Sequence, residues 1–211
     1  MPDRERLRRT FRYRIYPTVR QRLAIEAQLG FACQIYNAAL EQRRYAWRGR
    51  NRSVSLYEQF RELTDVRAAN MGPTKMSCSA MRDPLRRLDL AFAAFFRRVE
   101  SGAKPVYPRF RAARRYDSLT WATGWGLQNG RLALQGIGHT RVKWHRPLPP
   151  SAELRTVTIG RVAGRWYGCF SLTLSGASRA AAEGQPAVGL DLGVKQFATL
   201  STGEQIRGPR A

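Results

Sequence analysis

The chain has 211 residues, 43% of them hydrophobic, and sets 37 Lys and Arg against 15 Asp and Glu for a formal net charge of +22. That length can bury a core of its own, no apolar run approaches the ~18 residues of a membrane span, and the charged start Met1-Pro2-Asp3-Arg4-Glu5-Arg6 shows no secretory signal. Three scattered cysteines, Cys33, Cys78 and Cys169, form no CxxC pair; they argue against a disulfide framework or zinc site and suit a reduced, cytoplasmic protein.

The cation excess points to nucleic acid as the partner. Residues 1–115 hold 26 of the basic side chains and 10 of the acidic ones. A generic basic surface is the bland alternative. Arg12, Tyr13, Arg14 and Tyr16 alternate charge with aromatic rings, and period-two spacing predicts a strand with Phe11, Tyr13 and Ile15 on one face. Pro17 ends it. Thr18 with Gln21 forms a capping box for a helix to about Trp47, with Leu23, Phe31, Ile35, Tyr36 and Leu40 inward. Ser55 with Glu58 opens a second helix, broken near Gly72-Pro73. In a third helix Met81, Leu85, Leu88, Phe92, Phe95 and Val99 form an apolar stripe. Proline fits only a first turn, so Pro84 predicts a start near Asp83, and Gly102 ends the helix.

Next comes Lys104-Pro105-Val106-Tyr107-Pro108-Arg109-Phe110-Arg111, leading into Arg114, Arg115 and Tyr116. Arginine offers planar forks for phosphate, and Tyr107, Phe110 and Tyr116 offer stacking rings, so this stretch is read as a nucleic-acid contact rather than a solvated loop. Short strands follow. Asn129-Gly130 signals a two-residue hairpin, 139–145 alternates with Arg141 and Lys143 opposite Val142 and Trp144, and a further hairpin turns at Gly164. His139 and His145 have no ligand partner near in sequence and are read as sheet-surface residues; Trp121, Trp125, Trp144 and Trp166 are read as core. Such strands suggest a compact barrel or sandwich, whose sheet the N-terminal strand could complete.

Residues 176–186 form a linker, and Val188-Gly189-Leu190-Asp191-Leu192-Gly193-Val194 then drives one carboxylate into an apolar strand before a second strand with Phe197 and Leu200. An isolated ionised Asp there is costly unless compensated. Three readings stand: a Mg²⁺ ligand of a nuclease, the phosphate turn of an actin-like ATPase, or a strand-end Asp in a tight turn. Val194-Lys195 after the glycine, in place of small hydroxyl residues, weakens the ATPase reading.

In order along the chain, Tyr13-Arg14-Ile15-Tyr16-Pro17-Thr18, Tyr36-Asn37-Ala38-Ala39-Leu40, Leu88 to Phe96, Tyr107-Pro108-Arg109-Phe110, Arg115-Tyr116-Asp117-Ser118, Trp166-Tyr167 and Gly189 to Lys195 resemble the TnpB/OrfB proteins of insertion sequences. These are RNA-guided nucleases related to type V CRISPR effectors. The resemblance implies an α+β chain: a wedge-like β-barrel from 1–17 and 102–175, an inserted helical recognition bundle at 18–101, and the first strands of a ribonuclease-H-like RuvC domain at 187–211. It implies guide RNA and target DNA as partners and no membrane. It makes Asp191 the first catalytic carboxylate and a candidate Mg²⁺ ligand. Charge with interleaved rings makes Arg12, Tyr13, Arg14, Tyr16, Tyr107, Arg109, Phe110, Arg111, Arg114, Arg115, Tyr116, Arg141 and Lys143 the expected nucleic-acid contacts. The family's later Glu, second Asp and four-cysteine zinc ribbon have no counterpart here, because Glu204 is the only acid after Asp191. The expectation is therefore a nucleic-acid-binding part that does not cleave alone, completed by a C-terminal fragment or a second copy. The alternative is a nuclease-dead, repressor-like binder of guided or motif-marked DNA.

Overall fold

The computed structural model describes residues 7–69, 72–73, 75–174, 188–193 and 196–208. The expected linker at 176–186 and the pair Val194-Lys195 lie outside the described residues. The chain divides into two compact units, the larger of them Arg6–Ser175.

In the larger unit a first strand, β1 (Leu7–Tyr16), leads into three helices, α1 (Val19–Arg50), α2 (Leu56–Ala68) and α3 (Cys78–Glu100). Strands β2 (Ser118–Trp121), β3 (Trp125–Gln128), β4 (Arg131–Leu134), β5 (Gly138–Lys143), β6 (Ala152–Val162) and β7 (Arg165–Leu174) follow. All pair antiparallel in the order β2-β6-β7-β1-β5-β4-β3, a curled half-barrel with β2 and β3 as its edges. The expected small barrel is present as an open half-barrel. β1 sits between β7 and β5, so the segment farthest away in sequence joins the two halves of the sheet.

Alternation decides which face is buried. Tyr13, Ile15, Leu119, Trp121, Leu132, Val142, Val157, Ile159 and Phe170 lie inward and merge into one cluster with Ile25, Leu29, Tyr36, Leu40, Leu85 and Leu88 of the helices. Each such side chain contributes roughly 1.5–3 kcal/mol by leaving water. Two hairpins turn through left-handed pairs, Asn129-Gly130 (φ 50 and 70) and Ala163-Gly164 (φ 48 and 72), whose backbone twist matches that of the flanking strands.

Capping boxes form at both expected sites. The Gln21 N–H donates to Thr18 Oγ1 at 3.3 Å and the Thr18 N–H to Gln21 Oε1 at 3.0 Å, and Ser55 and Glu58 repeat the exchange. Gln21 Nε2 also donates to the His139 carbonyl at 2.9 Å, tying the start of α1 to β5. α1 runs on to Arg50, past Trp47, and ends at Asn51 in the left-handed region. Leu23 is exposed rather than inward, its place on the buried side taken by Ile25, Gln28 and Leu29.

α3 begins at Cys78, not near Asp83, so Pro84 lies inside the helix and is buried. Its missing N–H leaves the Ala80 carbonyl without the usual partner. The first turn is instead secured from outside: Ser77 and Ser79 hydroxyls donate to the Thr123 carbonyl at 2.8 and 2.9 Å, and the Ala122 and Thr123 N–H groups donate to Ser79 Oγ. One turn on, Asp83 accepts the Thr120 N–H of edge strand β2 at 3.2 Å and pairs with Arg87 at 2.8 Å. That edge is thereby capped by α3, which removes a site for wrong strand pairing. The stripe is buried from Met81 to Phe92, while Val99 is exposed.

The second unit holds three short strands, β8 (Leu190–Asp191), β9 (Ala198–Leu200) and β10 (Gln205–Ile206), in the order β10-β9-β8. The expected strand pair is therefore a triplet. Val188, Leu190, Leu192 and Phe197 are exposed, and Ala198 is buried.

Candidate nucleic-acid interface

Residues directly opposite across antiparallel strands share a face. Arg14 lies opposite Lys143 of β5 and Tyr167 of β7; Tyr16 lies opposite Arg141, which itself faces Arg131 of β4; Arg12 lies opposite Cys169. These positions form the outer face of the half-barrel, because their sequence neighbours Tyr13, Ile15 and Val142 are buried. Like charges set opposite one another repel by a few tenths to about 1 kcal/mol per pair. Among the described residues no carboxylate pairs with Arg12, Arg14, Arg131, Arg141 or Lys143.

Rings spread the guanidinium groups instead. Arg14 and Arg141 both lie over the Tyr16 ring, at 5.0 and 4.8 Å from its centroid, and Arg12 lies over Tyr167 at 5.1 Å. The buried Arg14 Nε has no hydrogen-bond partner among the described residues. A face of fixed, uncompensated arginines beside aromatic rings accepts phosphate by charge-assisted forks.

Tyr13 does not belong to that face. Its ring is fully buried against Trp144 (4.7 Å) and Phe170 (5.7 Å), so it serves the core and offers no free surface to a base. Tyr116 is likewise buried, with Arg87 over its ring at 5.7 Å, and burial pushes its hydroxyl pKa well above the ordinary value. Both rings were expected at the interface; alternation on β1, and the docking of 116 beneath α3, turn them inward.

The second cluster is the segment 104–115. Tyr107 packs edge-on against Phe92 and Phe95 of α3 at 5.5 and 5.3 Å, and Arg44 of α1 lies over the Phe110 ring at 5.2 Å. Arg109, Arg111, Arg114 and Arg115 are exposed, the last two in a single 3-10 turn. Asn37 holds the segment to α1: its Nδ2 donates to the Arg111 carbonyl and its Oδ1 accepts the Arg111 N–H, both at 2.8 Å. The Cys33 thiol donates to the same carbonyl at 3.2 Å, and burial, against the pull of Arg111, raises its pKa and keeps that proton in place. Asn37 stands in one of the motifs but carries no charge, so nothing in its residue type marked this role. Tyr167 and Arg131 were missed for another reason: only strand register reveals that they share the face of Arg14 and Arg141.

Asp191 lies on β8 opposite Thr199 and is exposed. Among the described residues no group of three His, Cys, Asp or Glu side chains could hold a metal ion. One carboxylate does not make a divalent-metal site, so the described residues do not by themselves fit Mg²⁺. Neither His139 nor His145 is part of such a group among the described residues.

Residues 5–52 match the helix-turn-helix domain family of OrfB/IS605 proteins. In this chain the described part of that stretch is a strand followed by one uninterrupted helix, α1. The chain is 34% identical to a putative RNA-guided DNA endonuclease of Streptomyces pristinaespiralis over 98% of its own length and 51% of that protein's. It is 24% identical to the putative RNA-guided DNA endonuclease InsQ of Escherichia coli K12, over 92% of its length and 47% of InsQ. A cryo-EM structure of a Cas12f1–sgRNA–target DNA complex aligns with 92% of the chain and 54% of its own at 12% identity and a TM-score of 0.43. The chain spans about half the length of the curated relatives it matches. Over nearly all of its own length, then, it resembles the TnpB/OrfB proteins of insertion sequences.

Proposed function

We propose that residues 7–174 are the nucleic-acid-binding part of an RNA-guided DNA endonuclease borne by an insertion sequence and acting in the cytoplasm. In this reading the wedge-like module of 1–17 and 102–175 and the recognition bundle of 18–101 together grip guide RNA and read a short motif beside the target. Asp191 supplies the first carboxylate of a RuvC-like, Mg²⁺-dependent site, whose remaining ligands come from elsewhere than the described residues. The observation that carries the reading is the outer sheet face, where Arg14 opposes Lys143 and Arg131 opposes Arg141 with no carboxylate among the described residues to pair them. Such an arrangement weakens the free protein and is repaid by a polyanion. Names of the relatives, both putative RNA-guided DNA endonucleases, support the choice of RNA and DNA as that polyanion.

The test is a filter-binding titration of the 211-residue chain with a structured RNA at several salt concentrations. Affinity should fall steeply, by about 0.7–0.9 of a decade per decade of salt for each phosphate contacted. Replacing Arg109, Arg111, Arg114 and Arg115 together by Ala should weaken binding at least tenfold and flatten the slope without unfolding the protein. Weak affinity that ignores salt would refute the reading. Guided binding without Mg²⁺-dependent cleavage, even after a C-terminal nuclease fragment is supplied, would favour the repressor-like alternative.

A further inference from the structure

Beside the β3–β4 hairpin lies a recess of about 510 Å³ that the basic sheet face does not use, lined by Leu127 and by the run Trp144, His145, Arg146, Pro147 and Leu148. It is a shallow hollow, largely open to solvent. Its aromatic wall is fixed. The Trp144 indole N–H donates to the Gly130 carbonyl at 2.7 Å, and its ring rests on Tyr13 at 4.7 Å and Phe170 at 5.8 Å. Its charge is fixed too: the Arg146 guanidinium lies over the Phe11 ring at 4.3 Å and near Tyr13 at 6.0 Å. Arg146 has no carboxylate partner among the described residues, and no acid occurs in the sequence between Asp117 and Glu153, whereas Arg131, Arg141, Lys143 and Arg146 all do.

The geometry points to a nucleotide subsite: one base of a single-stranded nucleic acid enters the recess against Trp144, and its phosphate binds Arg146. An immobilised indole is a stacking platform for any base, and a guanidinium already stacked on a ring keeps its N–H fork free for phosphate. A purely apolar guest would bury Arg146 without a counter-charge, which is costly. The inference rests on the nucleic-acid reading above but concerns a different set of residues.

The experiment uses the full chain labelled with 5-fluorotryptophan, whose five ¹⁹F lines report Trp47, Trp121, Trp125, Trp144 and Trp166 separately. Trp144→Phe assigns the line of interest. Titration with uridine monophosphate, then with oligouridylate and oligothymidylate, should move the Trp144 line and leave Trp47 and Trp121 in place. Arg146→Gln should abolish the shift by the monophosphate, weaken oligonucleotide binding roughly tenfold as loss of one charged contact does, and lower the salt slope by about 0.7. Unmoved lines of the other tryptophans show that the variant is folded. Leu127→Arg, which keeps the indole and fills the recess, should block the same shift. If RNA binds tightly while Trp144 stays silent and Arg146→Gln binds like the wild type, the subsite is overturned and the broader reading stands. If uridine monophosphate moves Trp144 but no RNA binds, the subsite stands and the broader reading falls. A shift caused equally by an acidic peptide would overturn the nucleotide assignment.

Discussion

Asn37 makes two hydrogen bonds to the backbone of a single residue, Arg111, and through it a loop of arginines acquires one position. Without that pair, the hydrogen bond left between α1 and the Arg111 backbone among the described residues comes from the Cys33 thiol, a weak donor. Asn37→Ala should therefore cost about 1 kcal/mol of stability, read as a lower urea midpoint with unchanged slope, and should also weaken RNA binding although no charge is lost. Full-strength binding would mean that the loop is ordered by something else. Asp83 shows the opposite balance. Burial raises its pKa, and the Arg87 guanidinium at 2.8 Å together with the Thr120 N–H only partly counters this. A folded state that holds a proton more tightly than the unfolded chain loses stability as pH rises from the unfolded carboxylate value, about 3.9, through the raised folded value. Relative to Asp83→Asn, the wild-type unfolding free energy should fall with rising pH across that window. A rise would show that the ion pair outweighs burial.

At the scale of elements, the hairpins illustrate how turn chemistry and sheet register divide the work. β3–β4 turns through Asn129-Gly130, the preferred pair for two left-handed positions, and β6–β7 does the same with Ala163-Gly164. Alanine at φ 48 sets its Cβ against its own carbonyl, a strain of roughly 1 kcal/mol that asparagine largely relieves. Ala163→Asn should raise the melting temperature, with the far-ultraviolet spectrum unchanged; a drop would mean that another contact of Ala163 outweighs the strain. β6–β7 is a long pairing, Ala152–Val162 against Arg165–Leu174, so the strain is stored where the ladder is best able to hold it. α3 shows the same trade in another form. Its interior Pro84 gives up one helical bond, while Ser79, Asp83 and Arg87 fasten the helix to Thr123 and to edge strand β2.

Across the whole molecule the two units differ in how much they bury. The larger contains one continuous core, whereas β8 and β10 are two residues each and Val188, Leu190, Leu192 and Phe197 of the smaller unit are exposed. Few buried contacts mean low opening free energies. Amide hydrogens of 190–193 and 196–206 should exchange orders of magnitude faster than those of β6, β7 and the middle of α3; equal protection in a monomer would show that the smaller unit already has a complete core. An added nuclease fragment that slows exchange there would identify a partner for these exposed apolar residues.

Local signals were legible in the residues themselves. Capping boxes at Thr18 and Ser55, the Asn129-Gly130 turn, strand alternation on β1 and the apolar stripe of α3 each depend on neighbours within a few positions, and sequence carries that information directly. Charge composition likewise points to a polyanion as the expected partner. What sequence spacing could not decide was pairing over long separations. Placing β1 between β5 and β7 puts Arg14 beside Lys143 and Tyr167, and Tyr16 beneath the Arg141 guanidinium, although more than a hundred residues intervene. The same packing took Tyr13 and Tyr116 out of the interface and gave Asn37 its hold on Arg111. A side chain's residue type sets what it can bind, but its neighbours, brought together by burial of a shared core, set whether it is free to do so.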